Sequence, residues 1–367
     1  MLTTLRLLEY KDRTMLLSAK TLLQNRYLIV RQIGQGGMGA VYEALDQRLG
    51  HRVALKQMIL NDPRLLRAFE REARILAQLH HPALPNVSDY FTDSDSHFLV
   101  MQYIPGDDFE ILLKKQGTPF PVMQVLEWAD QLLDVLEFLH AQDPPIIHRD
   151  IKPANMKLLA RGQIILLDFG LAKGGTTGSG YTVHDRDSVF AFTPHYAPLE
   201  QINGTGTDER SDLYALGTTL YHLLTGNEVP TAMTRAGAEI NENPDPLRPA
   251  SELNPEIPVA LAKVLAQATA LNATQRPQSA HAMRHALRQA TLTKNAQQEG
   301  YWNKIYWPIR LTIMGTITLA IGGLILGLFA EDPIGVATIA AIVGALCSAA
   351  GSIIWIIADA IYRQIKK

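Results

Sequence analysis

Cysteine is nearly absent: Cys347 stands alone among 367 residues. No intramolecular disulfide can form, and nothing in the composition points to an oxidising compartment. Charge of a dominant sign is lacking too. The 34 Lys and Arg against 36 Asp and Glu leave a net charge of −2, which excludes a whole-protein field suited to nucleic acid. Internal repeats and extended low-complexity tracts do not occur. The first twenty residues carry leucines, but Arg6, Glu9, Lys11, Asp12 and Arg13 interrupt them, so no apolar core of a secretory leader forms. Residues 1–26 read as an N-terminal extension, with Met15 as an alternative start.

Long uncharged runs are missing everywhere except the far end. There, Leu311 to Ala330 is a run of 20 residues and Ile334 to Ala358 one of 25. At about 1.5 Å per residue they reach roughly 30 and 38 Å, enough to cross a bilayer core. Only Glu331, Asp332 and Pro333 separate them. The expectation is a transmembrane helical hairpin over 308–358, after a linker over 291–307 and before a basic tail over 359–367. Lys304 and Arg310 flank its entrance, and Arg363, Lys366 and Lys367 flank its exit. The positive-inside rule puts both ends in the cytoplasm of a multi-pass protein of the cell membrane. Gly323 and Gly327, and then Ala340, Gly344, Ser348 and Ser352, recur every four residues. Such faces let helices approach closely, within one chain or in a homodimer.

The rest changes character near Met101. From Tyr27 to Val100 apolar and polar residues alternate, with β-branched runs at Ile29-Val30 and Val53, which reads as a small sheet. One helical stretch interrupts it at Arg64 to Leu79, with Phe69, Ala73, Leu76 and Leu79 on one face. Afterwards amphipathic helical segments dominate, at Val122 to His140, Ser211 to Thr225 and Pro258 to Ala270. The proline-rich interval from Asn243 to Pro258 reads as a connecting loop within that helical part.

Four short patterns carry chemistry. Gly34-Gln35-Gly36-Gly37-Met38-Gly39-Ala40-Val41 places glycines where backbone N–H groups could approach phosphates without a Cβ in the way. A dinucleotide-binding turn would need a helix opening at the third glycine, but Val41-Tyr42-Glu43 continues as strand. Lys56 closes the run Val53-Ala54-Leu55-Lys56. His148-Arg149-Asp150-Ile151-Lys152-Pro153 is followed by Asn155, and Asp168-Phe169-Gly170 follows one strand-length later.

On these residues, from about Arg26 to Ala290, the chain resembles a bacterial, eukaryotic-like serine/threonine protein kinase. The resemblance implies an α+β, two-lobed protein kinase fold over 27–290, with a small β-rich lobe and a larger helical one, followed by the hairpin. It implies ATP and Mg²⁺ as cofactors, and proteins with Ser or Thr acceptors as substrates. Asp150 would orient the acceptor hydroxyl and take its proton, and Lys152 would steady the transferring phosphoryl. Lys56, oriented by Glu72, would hold the α- and β-phosphates, while Asn155 and Asp168 would bind the metal. Gly34, Gly36, Gly39, Val41 and Ala54 would enclose the nucleotide. Met101 would back the adenine, the Gln102 and Ile104 backbones would pair with it, and Asp107 or Asp108 would reach the ribose.

The same resemblance makes Thr193 to Gln201 the segment that receives the substrate, with Glu200 paired to Arg276 and Asp212 structural. Phe192 replaces a glycine of the family pattern, and Pro198-Leu199-Glu200 replaces Ala-Pro-Glu. Arg149 before Asp150 implies activation through a phosphorylated loop residue, with Thr176, Thr177 and Thr182 as candidates. Two other classes compete: a nucleotide-binding pseudokinase scaffold and a small-molecule kinase of related fold. The first needs a replaced catalytic residue and the second lacks the Thr193-to-Glu200 platform.

Overall fold

The structure is a computed structural model, described here over residues 16–36, 39–58, 63–93, 96–168 and 193–291. The apolar runs at 311–330 and 334–358 lie outside these residues, as do the extension up to residue 15 and the candidate phosphorylation sites Thr176, Thr177 and Thr182. The chain divides into two compact units, 1–291 and 292–367, and everything described belongs to the first. Among the described residues no helix is long and apolar enough to cross a membrane.

Alternation in the first hundred residues becomes a six-stranded antiparallel sheet. Its strands are β1 (Leu22–Leu23), β2 (Tyr27–Gly36), β3 (Gly39–Asp46), β4 (His51–Met58), β5 (Val87–Asp93) and β6 (Ser96–Gln102), in the order β1-β2-β3-β4-β6-β5. Because strand side chains alternate faces, Ala40, Tyr42, Ala44, Val53 and Leu55 fall on one side with Tyr27, Ile29, Phe98 and Val100 and bury there. Aromatic rings stack across strands on this sheet, Tyr27 on Phe91 at 5.4 Å and Phe91 on Phe98 at 5.1 Å. Helix α1 (Pro63–Gln78) packs Phe69 and Ala73 against Met58 and Leu99. Its observed bounds shift the expected helix by one residue at each end.

The helical lobe follows: α2 (Phe109–Gln116), α3 (Val122–His140), a 3₁₀ turn (Pro153–Asn155), and the hairpin β7 (Met156–Leu158) and β8 (Ile164–Leu166). Then come α4 (Leu199–Ile202), α5 (Glu209–Thr225), α6 (Ala232–Ile240), α7 (Ala250–Leu253) and α8 (Val259–Ala268), and residues 280–291 are helical. Helix α5 is buried on nearly every side and runs through the centre. An Asp208–Ser211 capping box opens it and Gly226, at φ 72°, closes it. Gly217 permits its contact with α8, since a Cβ there would come within 2.8 Å of the Ala268 Cβ.

The interval from Asn243 to Pro258 is not wholly loop as expected. It contains α7, and Asp245 is fixed by buried Arg235, whose guanidinium also reaches the Thr269 carbonyl at 2.6 Å. Prolines at 249 and 258 stand at the N-caps of α7 and α8. Each therefore precedes a helix rather than excluding one, because proline lacks only an N–H that the first turn leaves unpaired.

Candidate active site

Asp212, fully buried in the first turn of α5, anchors the loop that carries Asp150. Its carboxylate accepts from the backbone N–H groups of His148 and Arg149, both at 2.8 Å, and His140 Nε2 lies 3.0 Å away. Arg149 has φ +66°, a left-handed conformation that costs a non-glycine residue roughly 1–3 kcal/mol. Two hydrogen bonds to one charged carboxylate offset that cost. The Gln201 side chain adds a bond to the Arg149 carbonyl at 2.9 Å.

Around the Asp150 carboxylate two side chains converge, Lys152 and Asn155. Lys152 Nζ lies 3.1 Å from both oxygens and donates to Thr193 Oγ1 at 2.7 Å. Asn155 Nδ2 donates to the Asp150 carbonyl and to Oδ2, both at 2.8 Å. With its amide nitrogen committed, Asn155 has Oδ1 as the atom able to ligate a cation. Leu167 N–H donates to the Asn155 carbonyl at 2.8 Å, which brings the end of β8, and so Asp168, beside Asn155. Asp168 has φ +51° and is 41% exposed at its side chain. Lys56 Nζ reaches it at 3.4 Å from the sheet. His148 is entirely buried, and that burial lowers its pKa against the pull of Asp212, Asp150 and Asp168. A neutral packed histidine results.

Sheet register aligns the glycine-rich hairpin with Lys56. Gly34 faces Val41 across β2 and β3, and Val41 faces Lys56 across β3 and β4. Gly36 faces Gly39, where an added Cβ would lie 1.8 Å from the Gln57 carbonyl oxygen, so only glycine fits. The Glu72 side chain is outside the described residues, and α1 carries its backbone. Asn155 and Asp168 together offer two oxygens, the set Mg²⁺ accepts when phosphates and waters complete its octahedron.

At the end of β6, Ala54 pairs with Met101. The Gln102 N–H donates to the Asn86 carbonyl at 2.8 Å, so a base would have to use the Gln102 carbonyl. The Ile104 carbonyl accepts from Lys157 Nζ at 2.8 Å, which points a base to the Ile104 N–H. The structure gives the two expected ribose ligands other partners. Asp108 Oδ1 caps α2 through the Ile111 N–H at 2.8 Å, and Asp107 pairs with Lys115 at 2.6 Å. Each of these contacts engages one carboxylate oxygen, Oδ1 of Asp108 and Oδ2 of Asp107.

The substrate platform is fixed from below. Arg276, with no exposed side chain, makes a two-pronged pair with Glu200 at 2.6 and 3.1 Å, and its guanidinium stacks 4.8 Å from the Tyr214 ring. Tyr196 meets His222 Nδ1 at 2.7 Å, and burial raises the Tyr196 pKa and lowers that of His222. Sequence reasoning missed His140, His222 and Lys157. The last had a signal: a lone lysine within the apolar strand Met156-Lys157-Leu158, two residues past Asn155.

A carboxylate held by a lysine and an asparagine, with a second carboxylate paired to a sheet lysine and the glycine-bearing β2–β3 hairpin in register with that lysine, is the residue set of the protein kinase fold. The chain belongs to the protein kinase family: the protein kinase domain model matches residues 27–287. Members of that family use ATP and Mg²⁺. It is 33% identical over 248 residues to a probable serine/threonine-protein kinase of Clostridium acetobutylicum, covering 67% of this chain and 37% of that protein. To the serine/threonine-protein kinase PrkC of Bacillus subtilis it is 32% identical over 271 residues, 71% of this chain and 40% of that one. The chain thus spans about two fifths of these relatives. Among solved structures, the Mycobacterium tuberculosis PknI kinase domain matches with TM-score 0.57 at 26% identity, covering 75% of this chain and all of that one. PpkA-294 in its apo form matches with TM-score 0.61 at 26% identity, covering 74% and 99%.

Proposed function

We propose that this protein is a membrane-anchored serine/threonine protein kinase that transfers the ATP γ-phosphate to protein hydroxyls. The observation that carries the reading is the Asp150–Lys152–Asn155–Thr193 cluster, with a complete set of polar partners at 2.7–3.1 Å. Asp150 orients the acceptor O–H and accepts its proton. Lys152, tied to both Asp150 and Thr193, places positive charge where the phosphoryl group crosses. Asn155 Oδ1 and the Asp168 carboxylate would hold Mg²⁺, which supplies charge neutralisation on the phosphates. Lys56 would exchange part of its contact with Asp168 for phosphate oxygens.

Activation runs through the loop after Gly170. A phosphate on Thr176, Thr177 or Thr182 adds nearly two negative charges and would order that loop against Arg149. The hairpin at 308–358 anchors the kinase domain on the cytoplasmic face, and its small-residue faces permit homodimers that phosphorylate in trans.

The test uses the full chain in membranes, with γ-labelled ATP and a generic protein acceptor. Wild type should label serine and threonine, and Asp150→Asn should not; equal labelling would end the reading. Mass spectrometry should find phosphate on at least one of the three threonines. A reporter fused after Lys367 should lie inside the cell, and an external one would remove the hairpin.

A further inference from the structure

Lys157 has no role in the motif logic, yet it makes the most specific contact between the helical lobe and the segment joining the lobes. Strand alternation puts Met156 in the core of the helical lobe and Leu158 against it. Lys157, between them, points the other way. Its Nζ donates to the Ile104 carbonyl and to the Gly106 carbonyl, both at 2.8 Å. Its backbone also bridges to Asp108. Ile104 is 4% exposed, so its carbonyl has little access to water should the ammonium leave. From the sheet side, Arg31 reaches the Tyr103 hydroxyl at 3.2 Å. The connecting segment is therefore gripped from both lobes within four residues.

We propose that Lys157 is a positioning residue for the nucleotide: its ammonium clamps the 104–106 backbone to β7 and thereby sets the Ile104 N–H against the purine. This rests on reading Ile104 as the base-pairing position of the site proposed above. The chemistry fits. A single ammonium satisfies two carbonyls that point into one small space, as its three donors allow, and such charge-assisted bonds exceed neutral ones in strength. The clamp sits on the strand that leaves Asn155, so the residue that grips the hinge lies two positions from the proposed metal ligand. Burial lowers the Lys157 pKa, opposed first by Asp108 and then by Asp107.

The test compares wild type, Lys157→Met and Lys157→Arg in the full chain. It measures binding of a fluorescent ATP analogue, KM and kcat for ATP, and KM for 1-deaza-ATP, whose base lacks the N1 acceptor. Lys157→Met should raise the Kd of the fluorescent analogue and the KM for ATP about tenfold while kcat stays within about twofold, and Arg should recover part of the loss. With 1-deaza-ATP the Lys157→Met penalty should shrink to about twofold, because the contact being positioned is already gone. An unchanged Kd and KM, a loss confined to kcat, or an equal penalty with both nucleotides overturns the clamp. If Lys157→Met does not fold, Lys157→Gln, which lacks the charge and cannot reach both carbonyls, carries the same two-nucleotide comparison, and an unchanged KM or an equal penalty with both nucleotides overturns the clamp. Binding is read without turnover. A wild type that binds ATP but transfers nothing therefore refutes the kinase reading and leaves the clamp tested.

Discussion

On the helical side of the cleft Asp150 is surrounded by Lys152 and Asn155 at 2.8–3.1 Å, and its loop is tied to buried Asp212. On the sheet side Lys56 meets Asp168 at 3.4 Å, with a quarter of the lysine and 41% of the aspartate side chain exposed. The first arrangement is set by protein groups buried among one another. The second is a longer and more exposed pair of opposite charges. On the proposed reading, the acceptor half of the site is built by folding and the nucleotide half is completed by its ligands.

Breaking the built half should have the largest effect. Asp150→Asn keeps the shape but exchanges one acceptor oxygen for a donor and cannot take a proton, so phosphotransfer should fall about 1,000-fold. Binding of a fluorescent ATP analogue should change by less than about twofold, since Asp150 belongs to the acceptor side. A loss of ATP binding of similar size would erase the distinction between the halves.

The same side should also carry stability. Arg276 has no exposed side-chain surface, and Glu200, Arg210, Ala270 and Leu271 supply its acceptors. Arg276→Ala leaves the half-buried Glu200 carboxylate with only the Ser211 hydroxyl among the described residues, and several carbonyls without their donor, a loss of about 3–5 kcal/mol. Calorimetry should show a melting temperature lower by roughly 10 °C. Lys56→Met is the counterpart on the open half. Phosphotransfer should drop about 100-fold through lost phosphate positioning. Melting without nucleotide should stay close to wild type, because an exposed pair of this kind contributes roughly 0–1 kcal/mol. A melting shift comparable to that of Arg276→Ala would show that the open half is structural after all.

How much of this the sequence disclosed follows the same division. Motif residues with fixed spacing, such as Asp150, Lys152 and Asn155 in one turn, are placed by local chain geometry and could be read directly. So could helix α3, whose bounds at Val122 and His140 match its apolar periodicity. Gly34, Val41 and Lys56 line up because strand register preserves their order. What stayed hidden depends on side chains finding distant partners. Nothing local links Lys157 to Ile104, 53 positions away, or Tyr196 to His222, 26 away. The second use of Asp108 was also hidden: a carboxylate just before a helix can cap it, and one of its oxygens accepts from the Ile111 N–H.

The smallest effect concerns pH and the floor of the substrate platform. Burial lowers the His222 pKa from its ordinary value of 6.5, against the opposing pull of Glu228 and Glu110. Its neutral Nδ1 accepts from the Tyr196 hydroxyl, and burial raises the Tyr196 pKa so that this proton is kept. The unfolded chain protonates the same histidine near 6.5, so below that pH the unfolded state binds more protons than the folded one. This group's contribution is thus intact above pH 6.5. It diminishes as pH falls below 6.5, and levels off only once the folded histidine also protonates. The melting temperature should be lower at pH 5.5 than at pH 7.5. His222→Gln offers the Tyr196 hydroxyl a carbonyl acceptor that does not titrate, so the difference between the two pH values should narrow in that variant. An identical difference in wild type and variant would mean the acid sensitivity arises elsewhere, and that His222 holds the platform without titrating.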